Sequence, residues 1–257
     1  MQTWVSEIPE DHGYILPIAD LHIGDPQWGK KGRDKLNGYI QWILDNPNTR
    51  VVLMGDILNT ATRMSKTNPI ESTPLKYQIR EAIDLLTPIK QFIVGAISGN
   101  HEQRIYDFCG YDPTMAICDP LEIKYATYSA VVFFRVKKQK SGRNFENTYS
   151  GYFHHTIGGG GMVGSRINRV EKLREIVANA DFYVGAHNHT LITAPLEVLE
   201  IDSRHYKVIR KRQIIVSCGS FLDWDESYAE QKQMPPSKLG SPRIRLDGTT
   251  NDIHVSL

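Results

Sequence analysis

The chain has 257 residues, of which 40% are hydrophobic and 23% charged, and its formal net charge is +1. A chain of this length buries about three quarters of its unfolded surface, so it needs no disulfide or metal to hold a core. No apolar run reaches the roughly 18 residues that a membrane helix requires. The near-neutral charge also lacks the strongly basic balance that is typical of sequence-independent DNA binding.

Three cysteines, Cys109, Cys118 and Cys218, are an odd number with no C-x-x-C spacing. This pattern favours reduced thiols over a disulfide framework or a thiolate zinc site. Residues 1–9 contain no basic segment followed by an apolar stretch, so no secretory signal is indicated. We therefore expect a cytoplasmic protein without membrane contact, whose oligomeric state the sequence does not indicate.

The first half of the chain alternates predicted strands and helices. Apolar runs at 13–19, 50–54 and 92–97 predict strands, and helical spacing of apolar residues predicts helices at 32–45 and 77–89. This alternation is typical of the α/β class. Functional residues in that class gather at the carboxyl ends of the strands, and each of these runs is followed by a potential metal ligand.

The second half is richer in strands. The four-glycine run 158–161 is either a flexible connection or a loop whose N–H groups approach a phosphate. Because no linker or repeat interrupts the chain, residues 1–257 are predicted to form a single domain. The predicted elements are strands at 128–136 and 148–153 joined across 141–144, a helix at 165–180, a strand at 181–184, a hairpin of 194–201 with 206–217, and short strands in 241–257.

Two histidines, His187 and His189, stand one residue apart just after the strand at 181–184. Imidazole is the commonest protein ligand for transition metals, although a lone His-x-His pair is weak evidence. Asp20 and His22 form a second pair after the first strand, and side chains two apart leave an extended backbone on the same side. A metal site at these positions requires further ligands from other strand ends.

The remaining strand ends do carry further candidates. A capping Asp, an Asn in a tight turn or a hydrogen-bonded core histidine would explain any one of them. Their recurrence at successive strand ends favours a metal site instead. These candidates are Asp56, Asn100, His101, His154 and His155.

The ordered series D-L-H, G-D-I-L-N, G-N-H-E, F-H-H and G-A-H-N-H runs from about Ile18 to His189. It resembles the calcineurin-like metallophosphoesterase superfamily, whose pattern is D-x-H, G-D-x-x-D, G-N-H-[DE], H and G-x-H-x-H. The resemblance implies two central mixed β-sheets flanked by helices, an αββα sandwich. It also implies a two-metal site at the strand ends.

Carried over to this chain, the resemblance assigns the ligands of two divalent ions. Asp56 would bridge the ions, since two nearby cations need a shared anionic ligand. Because side chains alternate along a strand, only one of His154 and His155 is expected to point inward. His155 is favoured because it is nearer the turn, and both residues remain candidate ligands. The ligands implied are Asp20, His22, Asp56 and His189 for one ion, and Asp56, Asn100, His187 and His154 or His155 for the other.

Mixed nitrogen and oxygen ligation favours transition metals over calcium or magnesium. Manganese is the preferred ion, with iron, zinc, nickel or cobalt as alternatives. The resemblance further implies that a metal-bridging hydroxide attacks phosphorus, and that His101 stabilises the developing charge or protonates the leaving group. Asn59 replaces the usual final acid of the second motif, but that position typically lies outside the ligand set, so the site is expected to survive.

The implied activity is hydrolysis of a phosphoester, with a phosphodiesterase or phosphatase as the first hypothesis. The substrate is a small molecule or a nucleic acid, because similarity to DNA-repair-type and phage-type nucleases keeps a nuclease as an alternative. A hypothesis of another class is a non-catalytic scaffold that binds a protein partner. The complete set of candidate ligands, His101 included, favours an enzyme over a scaffold.

Overall fold

The computed structural model describes residues 1–62, 72–138, 144–158, 162–225, 230 and 235–257. Within these ranges the strands are β1 (Gln2–Ile8), β2 (His12–Ile18), β3 (Thr49–Leu53), β4 (Ile93–Ile97), β5 (Tyr125–Ala126), β6 (Ser129–Lys138), β7 (Phe145–His154), β8 (Phe182–Gly185), β9 (Ile192–Asp202), β10 (Lys207–Ser217), β11 (Arg243–Asp247) and β12 (Ile253–Ser256). The helices are α1 (Lys30–Asp45), α2 (Leu75–Leu86), α3 (Asn100–Cys109), α4 (Pro113–Leu121) and α5 (Val163–Glu171). Short 3-10 helices span Thr87–Phe92 and Lys172–Glu175.

The strands form two mixed sheets of six strands each. The order in one sheet is β1-β6-β7-β8-β10-β9, and the order in the other is β12-β11-β2-β3-β4-β5. In the second sheet β2, β3, β4 and β5 run parallel, while β11 pairs antiparallel with β2 and β12 pairs antiparallel with β11. In the first sheet β7, β8 and β10 are parallel neighbours. The parallel strands of each sheet therefore deliver several carboxyl ends to one edge.

A buried apolar layer lies between the two sheets. It combines Ile15 and Val52 of the second sheet with Phe134, Phe153 and Val184 of the first, all fully buried. Phe153 and Phe182 meet edge to face with ring centroids 5.8 Å apart, an arrangement that aromatic pairs prefer. Because both sheets contribute to this layer, the loops at their strand ends are held in one fixed arrangement.

Helices cover the outer faces of both sheets. Leu36 and Ile43 of α1 and Leu86 of α2 pack on the second sheet, and Val170 of α5 packs on the first beside Tyr183. In each of these three helices the residues that pack on the sheet recur at helical spacing and form one apolar stripe. The predicted fold class, an α/β structure with two mixed sheets flanked by helices, is confirmed.

Most predicted strands and helices agree with the structure within a few residues, but one helix differs. The helix predicted at 165–180 ends at Glu171 and continues only as a 3-10 turn, and Ile176 is 59% exposed rather than part of an apolar stripe. The hydroxyl of Tyr183 donates to the Val177 carbonyl at 2.7 Å and accepts the Ala180 N–H at 3.1 Å. These bonds engage backbone groups that a longer helix would have paired internally.

Strands β1 and β5 and helices α3 and α4 were not predicted. Strand β1 pairs in parallel with β6 at the edge of the first sheet, and only two of its seven residues are buried. Helix α3 buries only Glu102 and so lacks an apolar stripe, while α4 contains the interior proline Pro120. The sequences of β1 and α3 lack the hydrophobic period on which the prediction rested. Strand β5 has only two residues, and Pro120 interrupts the helical pattern of α4.

Some predicted features lie outside the described residues, namely 141–143 of the predicted turn and 159–161 of the glycine run. Cys118 and Cys218 are buried, Cys109 is exposed, and all three are free thiols. Among the described residues, no helix is both long enough and apolar enough to cross a membrane.

Candidate metal centre

The predicted ligands converge where the strand ends of the two sheets meet. Asp20 follows β2, Asp56 follows β3, Asn100 opens α3 directly after β4, and His155 and His187 follow β7 and β8. Backbone hydrogen bonds lock these loops together. The N–H of Asp20 donates to the Gly55 carbonyl at 3.1 Å, and the N–H of His187 donates to Oδ2 of Asp20 at 3.1 Å. The second of these bonds joins a loop of one sheet to a loop of the other.

Five of the predicted ligands have left-handed backbone conformations. Their φ angles are 53° for Asp20, 50° for His22, 48° for Asp56, 73° for His187 and 51° for His189. Such conformations are uncommon in residues other than glycine and cost on the order of 1 kcal/mol or more each. Strain of this kind persists where surrounding contacts fix the chain, and it clusters at functional sites. Here the left-handed residues turn the chain sharply after β2, β3 and β8.

One ligand group contains Asp20, His22 and His189, whose donor atoms all lie within 4.8 Å of one another. Nε2 of His189 lies 3.2 Å from both Nε2 of His22 and Oδ1 of Asp20. Oδ1 of Asp20 is buried and accepts no hydrogen bond among the described residues. A buried carboxylate oxygen that faces two imidazole nitrogens and accepts no hydrogen bond is well placed to coordinate a cation.

A second ligand group contains Asp56, His155 and His187, again with donor atoms within 4.8 Å. Nε2 of His155 lies 3.2 Å from Oδ2 of Asp56 and 3.2 Å from Oδ1 of Asn100. Nδ1 of His155 donates to the Met54 carbonyl at 2.7 Å, since a carbonyl only accepts. This bond fixes the ring and turns its other nitrogen toward Asp56.

The structure separates the two neighbouring histidines of the fourth motif. His155 is buried inside the second group, whereas Nδ1 of His154 accepts the Thr156 N–H at 2.7 Å. The His154 ring lies beside Tyr152, with centroids 6.5 Å apart, on the opposite side of the strand. His154 is therefore outside both ligand groups, as side-chain alternation requires of one of the two.

Asp56 stands between the two groups. Its Oδ2 lies 3.9 Å from Nε2 of His22, in addition to its contact with His155. Its Oδ1 accepts the N–H of His101 at 2.8 Å. His22, Asp56 and His101 in turn form a third group with donor atoms within 4.8 Å. Asp56 is thus the side chain that connects every part of the cluster.

Burial and mutual charge set the protonation of this cluster. Burial disfavours the charged form of His155, but the Asp56 carboxylate and then Asp20 outweigh it and raise the pKa of His155 to about 10. Burial likewise opposes ionisation of Asp56, but His155 and His101 hold its pKa well below the usual range. Desolvation lowers the pKa of His22. In the metal-free protein a proton on His155 therefore balances the charge of Asp56.

His101 reaches the cluster from the start of α3. Its Nδ1 donates to the Asn59 carbonyl at 2.6 Å, and its Nε2 lies 3.9 Å from Oδ2 of Asp56. Desolvation lowers the pKa of His101. Since Nδ1 carries the proton of the neutral ring, Nε2 presents a lone pair to the cluster unless it too is protonated.

Asn59, which stands where the family pattern has an acid, contributes its backbone rather than a charge. Its side-chain Nδ2 donates to Oγ of Ser72 at 2.9 Å. Its backbone carbonyl is the group that accepts the Nδ1 proton of His101. Its Oδ1 is buried and has no hydrogen-bond partner among the described residues. The donor atoms of the ligand groups lie close together without a carboxylate at this position.

Glu102 supports the cluster and was not predicted as a site residue. Its Oε2 accepts the N–H groups of Asp56 at 2.9 Å and Gly99 at 3.0 Å, and its Oε1 accepts the N–H of Leu58 at 2.8 Å. Burial and the nearby Asp56 carboxylate raise the pKa of Glu102 to about 7, against the effect of these donors. The available signal was its place as the third residue of a helix that follows a capping glycine.

Two glycines let the loops after β3 and β4 touch. Gly55 has φ of 83°, and a Cβ there would lie 2.6 Å from the Cα of Gly99. A Cβ on Gly99 would in turn collide with the backbone and carboxylate of Asp56. The G-D and G-N-H motifs therefore need glycine because Asp56 is packed against the chain before α3.

The donor set and its spacing fit divalent metal ions. Ligand atoms about 2.0–2.2 Å from an ion lie roughly 3.0–3.5 Å from one another in octahedral or tetrahedral geometry. The Asp20–His189, His22–His189 and Asp56–His155 separations are each 3.2 Å. Imidazole, carboxylate and amide oxygen donors together favour a transition metal.

The chain resembles calcineurin-like phosphoesterases. Its motif residues meet at the strand ends of two mixed sheets. The solved structure of the calcineurin-like phosphoesterase YfkN from Bacillus subtilis is similar over 96% of this chain and 89% of that chain, with a TM-score of 0.42 and 13% sequence identity. No protein-family model matches the sequence, and no curated protein matches it.

Proposed function

We propose that this protein is a phosphoester hydrolase that depends on two divalent metal ions. The observation that carries the proposal is the pair of buried ligand groups joined at Asp56. We assign Asp20, His22, Asp56 and His189 to one ion. We assign Asp56, Asn100, His155 and His187 to the other.

We further propose that residues 1–257 form one catalytic domain. Both sheets contribute to a single apolar layer, and both contribute ligands, Asp20 from the second sheet and His187 from the first. Neither sheet carries a complete ligand set by itself. Folding of the two sheets together is therefore a condition for the site.

Manganese is the proposed ion, with iron, zinc, nickel or cobalt as alternatives. Two such ions would supply Lewis-acid stabilisation of phosphoryl charge and an activated water as the nucleophile. The chain itself supplies position and proton transfer. Asp56 fixes the two ligand groups relative to each other, and the Asn59 carbonyl orients the His101 ring.

His101 is the proposed acid or hydrogen-bond donor toward the leaving group. It faces the cluster through Nε2, and its Nδ1 proton is held by a backbone carbonyl. Protonation at Nε2 would make His101 a donor to the leaving-group oxygen, as general acid catalysis requires. Its lowered pKa makes that proton readily transferable.

The proposed substrate is a small phosphodiester or phosphomonoester, with a nucleic acid as the alternative. A panel of p-nitrophenyl phosphate, bis-p-nitrophenyl phosphate, cyclic nucleotides and single-stranded DNA, each with added manganese, tests the proposal. We expect hydrolysis of at least one ester that requires the metal and depends on His101. Absence of hydrolysis across the panel, together with no metal uptake, would instead support the non-catalytic scaffold.

The two ligand groups predict that two neighbouring histidines each bind a different metal ion. His189→Ala should lose the ion of the Asp20 group and His187→Ala the ion of the Asp56 group, each leaving about one ion per chain in place of two. Elemental analysis after dialysis measures the ion content. The control is His205→Ala, which removes an exposed histidine whose Nδ1 lies 2.8 Å from Oδ2 of Asp202. Two ions retained in both site variants would contradict the assignment.

Metal binding should release protons, because His155 is a ligand and its pKa in the metal-free protein is about 10. Below that pH a metal must displace the proton, so affinity should rise about tenfold per pH unit from pH 7 to 8. Titration calorimetry in two buffers of different ionisation enthalpy counts the released protons.

A matched pair of variants isolates the source of those protons. His155→Gln should lower the release by about one proton per chain, whereas His154→Gln should leave it unchanged because His154 lies outside both ligand groups. An affinity that does not change with pH over this interval would contradict the role of His155 as a ligand.

A further inference from the structure

Arg104 lies on the face of α3 that points to the metal centre. It stands four residues after Asn100 and three after His101, and residues at these spacings are neighbours on a helix surface. The helix begins at Asn100, so Arg104 is only one turn from the cluster. Its position beside His101 is therefore set by helix geometry.

Arg104 is partly buried, yet its guanidinium has no hydrogen bond or ion pair within the described ranges. Several other arginines of the chain are paired, for example Arg33 with Glu81 and Arg245 with Asp247. Guanidinium stays charged at any physiological pH, and burying an unpaired charge is costly. An unpaired and partly desolvated cation beside a metal centre therefore suggests that an anionic ligand binds there when the protein functions.

The nearby carboxylates do not fill that role. The charge of Arg104 interacts with Asp56 and Glu102 at longer range and lowers the pKa of His101. Both oxygens of Glu102 are occupied by backbone N–H groups, and Oδ1 of Asp56 by the N–H of His101. Arg104 thus adds positive potential to the site without being neutralised there.

We infer that Arg104 binds a non-bridging oxygen of the substrate phosphate, on the side of the site where His101 lies. This inference rests on the proposed phosphoester hydrolase function. A guanidinium matches phosphate geometry with two parallel donors, which a lysine cannot reproduce. Because it adds one charge, Arg104 should contribute more to a dianionic phosphomonoester than to a monoanionic diester.

Inorganic phosphate binding to the manganese-loaded protein tests the inference without requiring turnover. We expect Arg104→Gln to weaken phosphate binding about 10- to 100-fold by calorimetry, and Arg104→Lys to weaken it less. The matched control is Arg80→Gln on α2, an exposed arginine. Bound manganese and thermal melting should be unchanged in all three variants, which excludes a merely structural effect.

Kinetics provide a second measurement. In Arg104→Gln, KM should rise about tenfold or more for p-nitrophenyl phosphate and less for bis-p-nitrophenyl phosphate. Phosphate affinity within twofold of the unchanged protein, or equal losses for both esters, would overturn the inference. If the manganese-loaded protein hydrolyses neither ester but binds phosphate through Arg104, the hydrolase proposal fails while the anion site stands.

Discussion

Asp56→Asn is expected to remove almost all hydrolytic activity while the fold remains intact. Asparagine keeps an oxygen for the His101 N–H, which Asp56 accepts at 2.8 Å. It replaces Oδ2, which lies 3.2 Å from Nε2 of His155, with an uncharged amide group. The one anion shared by both ligand groups is then lost, so the repulsion between two cations is no longer offset.

The size of the effect follows from the charge stabilisation that the metals supply. A loss of about 4 kcal/mol of transition-state stabilisation corresponds to about a 10³-fold decrease in kcat/KM. Metal content should fall below two ions per chain, and far-ultraviolet circular dichroism should be unchanged. The rate is measured with the best ester of the substrate panel.

The matched control is Asp107→Asn, which neutralises an exposed carboxylate on the same helix as His101. It should retain full activity and two ions. Asp56→Asn with two ions and more than a tenth of normal activity would show that Asp56 does not bridge the metals.

The candidate ligands could be identified from the sequence because each follows a recognisable strand. Within the predicted strand 50–54, residues 51–54 form a continuous apolar run, so local pattern alone places the acid after it, Asp56, at a strand end. His187 and His189 follow a shorter run in the same way. The alternation of strands and helices then predicted that the carboxyl ends of these strands lie at one edge of the structure.

The sequence could favour His155 over His154 but could not decide between them. Alternation predicts that one of two adjacent residues points inward, but not which, because a one-residue shift in register exchanges them. Here His154 pairs with Ser129 at the end of β7, and His155 follows the strand and bonds to the Met54 carbonyl of the other sheet. Contacts between sheets are invisible in a local pattern.

The supporting residues were harder to predict than the ligands. Glu102 and Arg104 lie on α3, a helix with no apolar stripe, and their roles depend on backbone groups and charges from distant segments. The left-handed conformations of Asp20, His22 and Asp56 also contradict ordinary residue preferences. Local rules fail here because tertiary contacts at the site override them.

Glu102→Ala is expected to destabilise the protein by about 3–5 kcal/mol. Glu102 is almost fully buried, and its carboxylate accepts the N–H groups of Asp56, Leu58 and Gly99. Alanine would leave three buried donors unpaired, and each unpaired donor costs roughly 1–3 kcal/mol when water cannot reach it. Urea unfolding of the metal-free protein measures this loss directly.

A graded series separates the hydrogen bonds of Glu102 from its charge. Glu102→Gln keeps one acceptor oxygen but turns an NH2 group toward a backbone donor, so its cost should be about 1–3 kcal/mol. The control Glu197→Gln removes an exposed carboxylate paired with Arg210 at 3.4 Å, and such surface pairs contribute little. If Glu102→Gln were as stable as the unchanged protein, burial and the repulsion from Asp56 would outweigh the three donors. Metal affinity should fall in parallel with stability, because the same carboxylate holds the backbone of Asp56 and the start of α3.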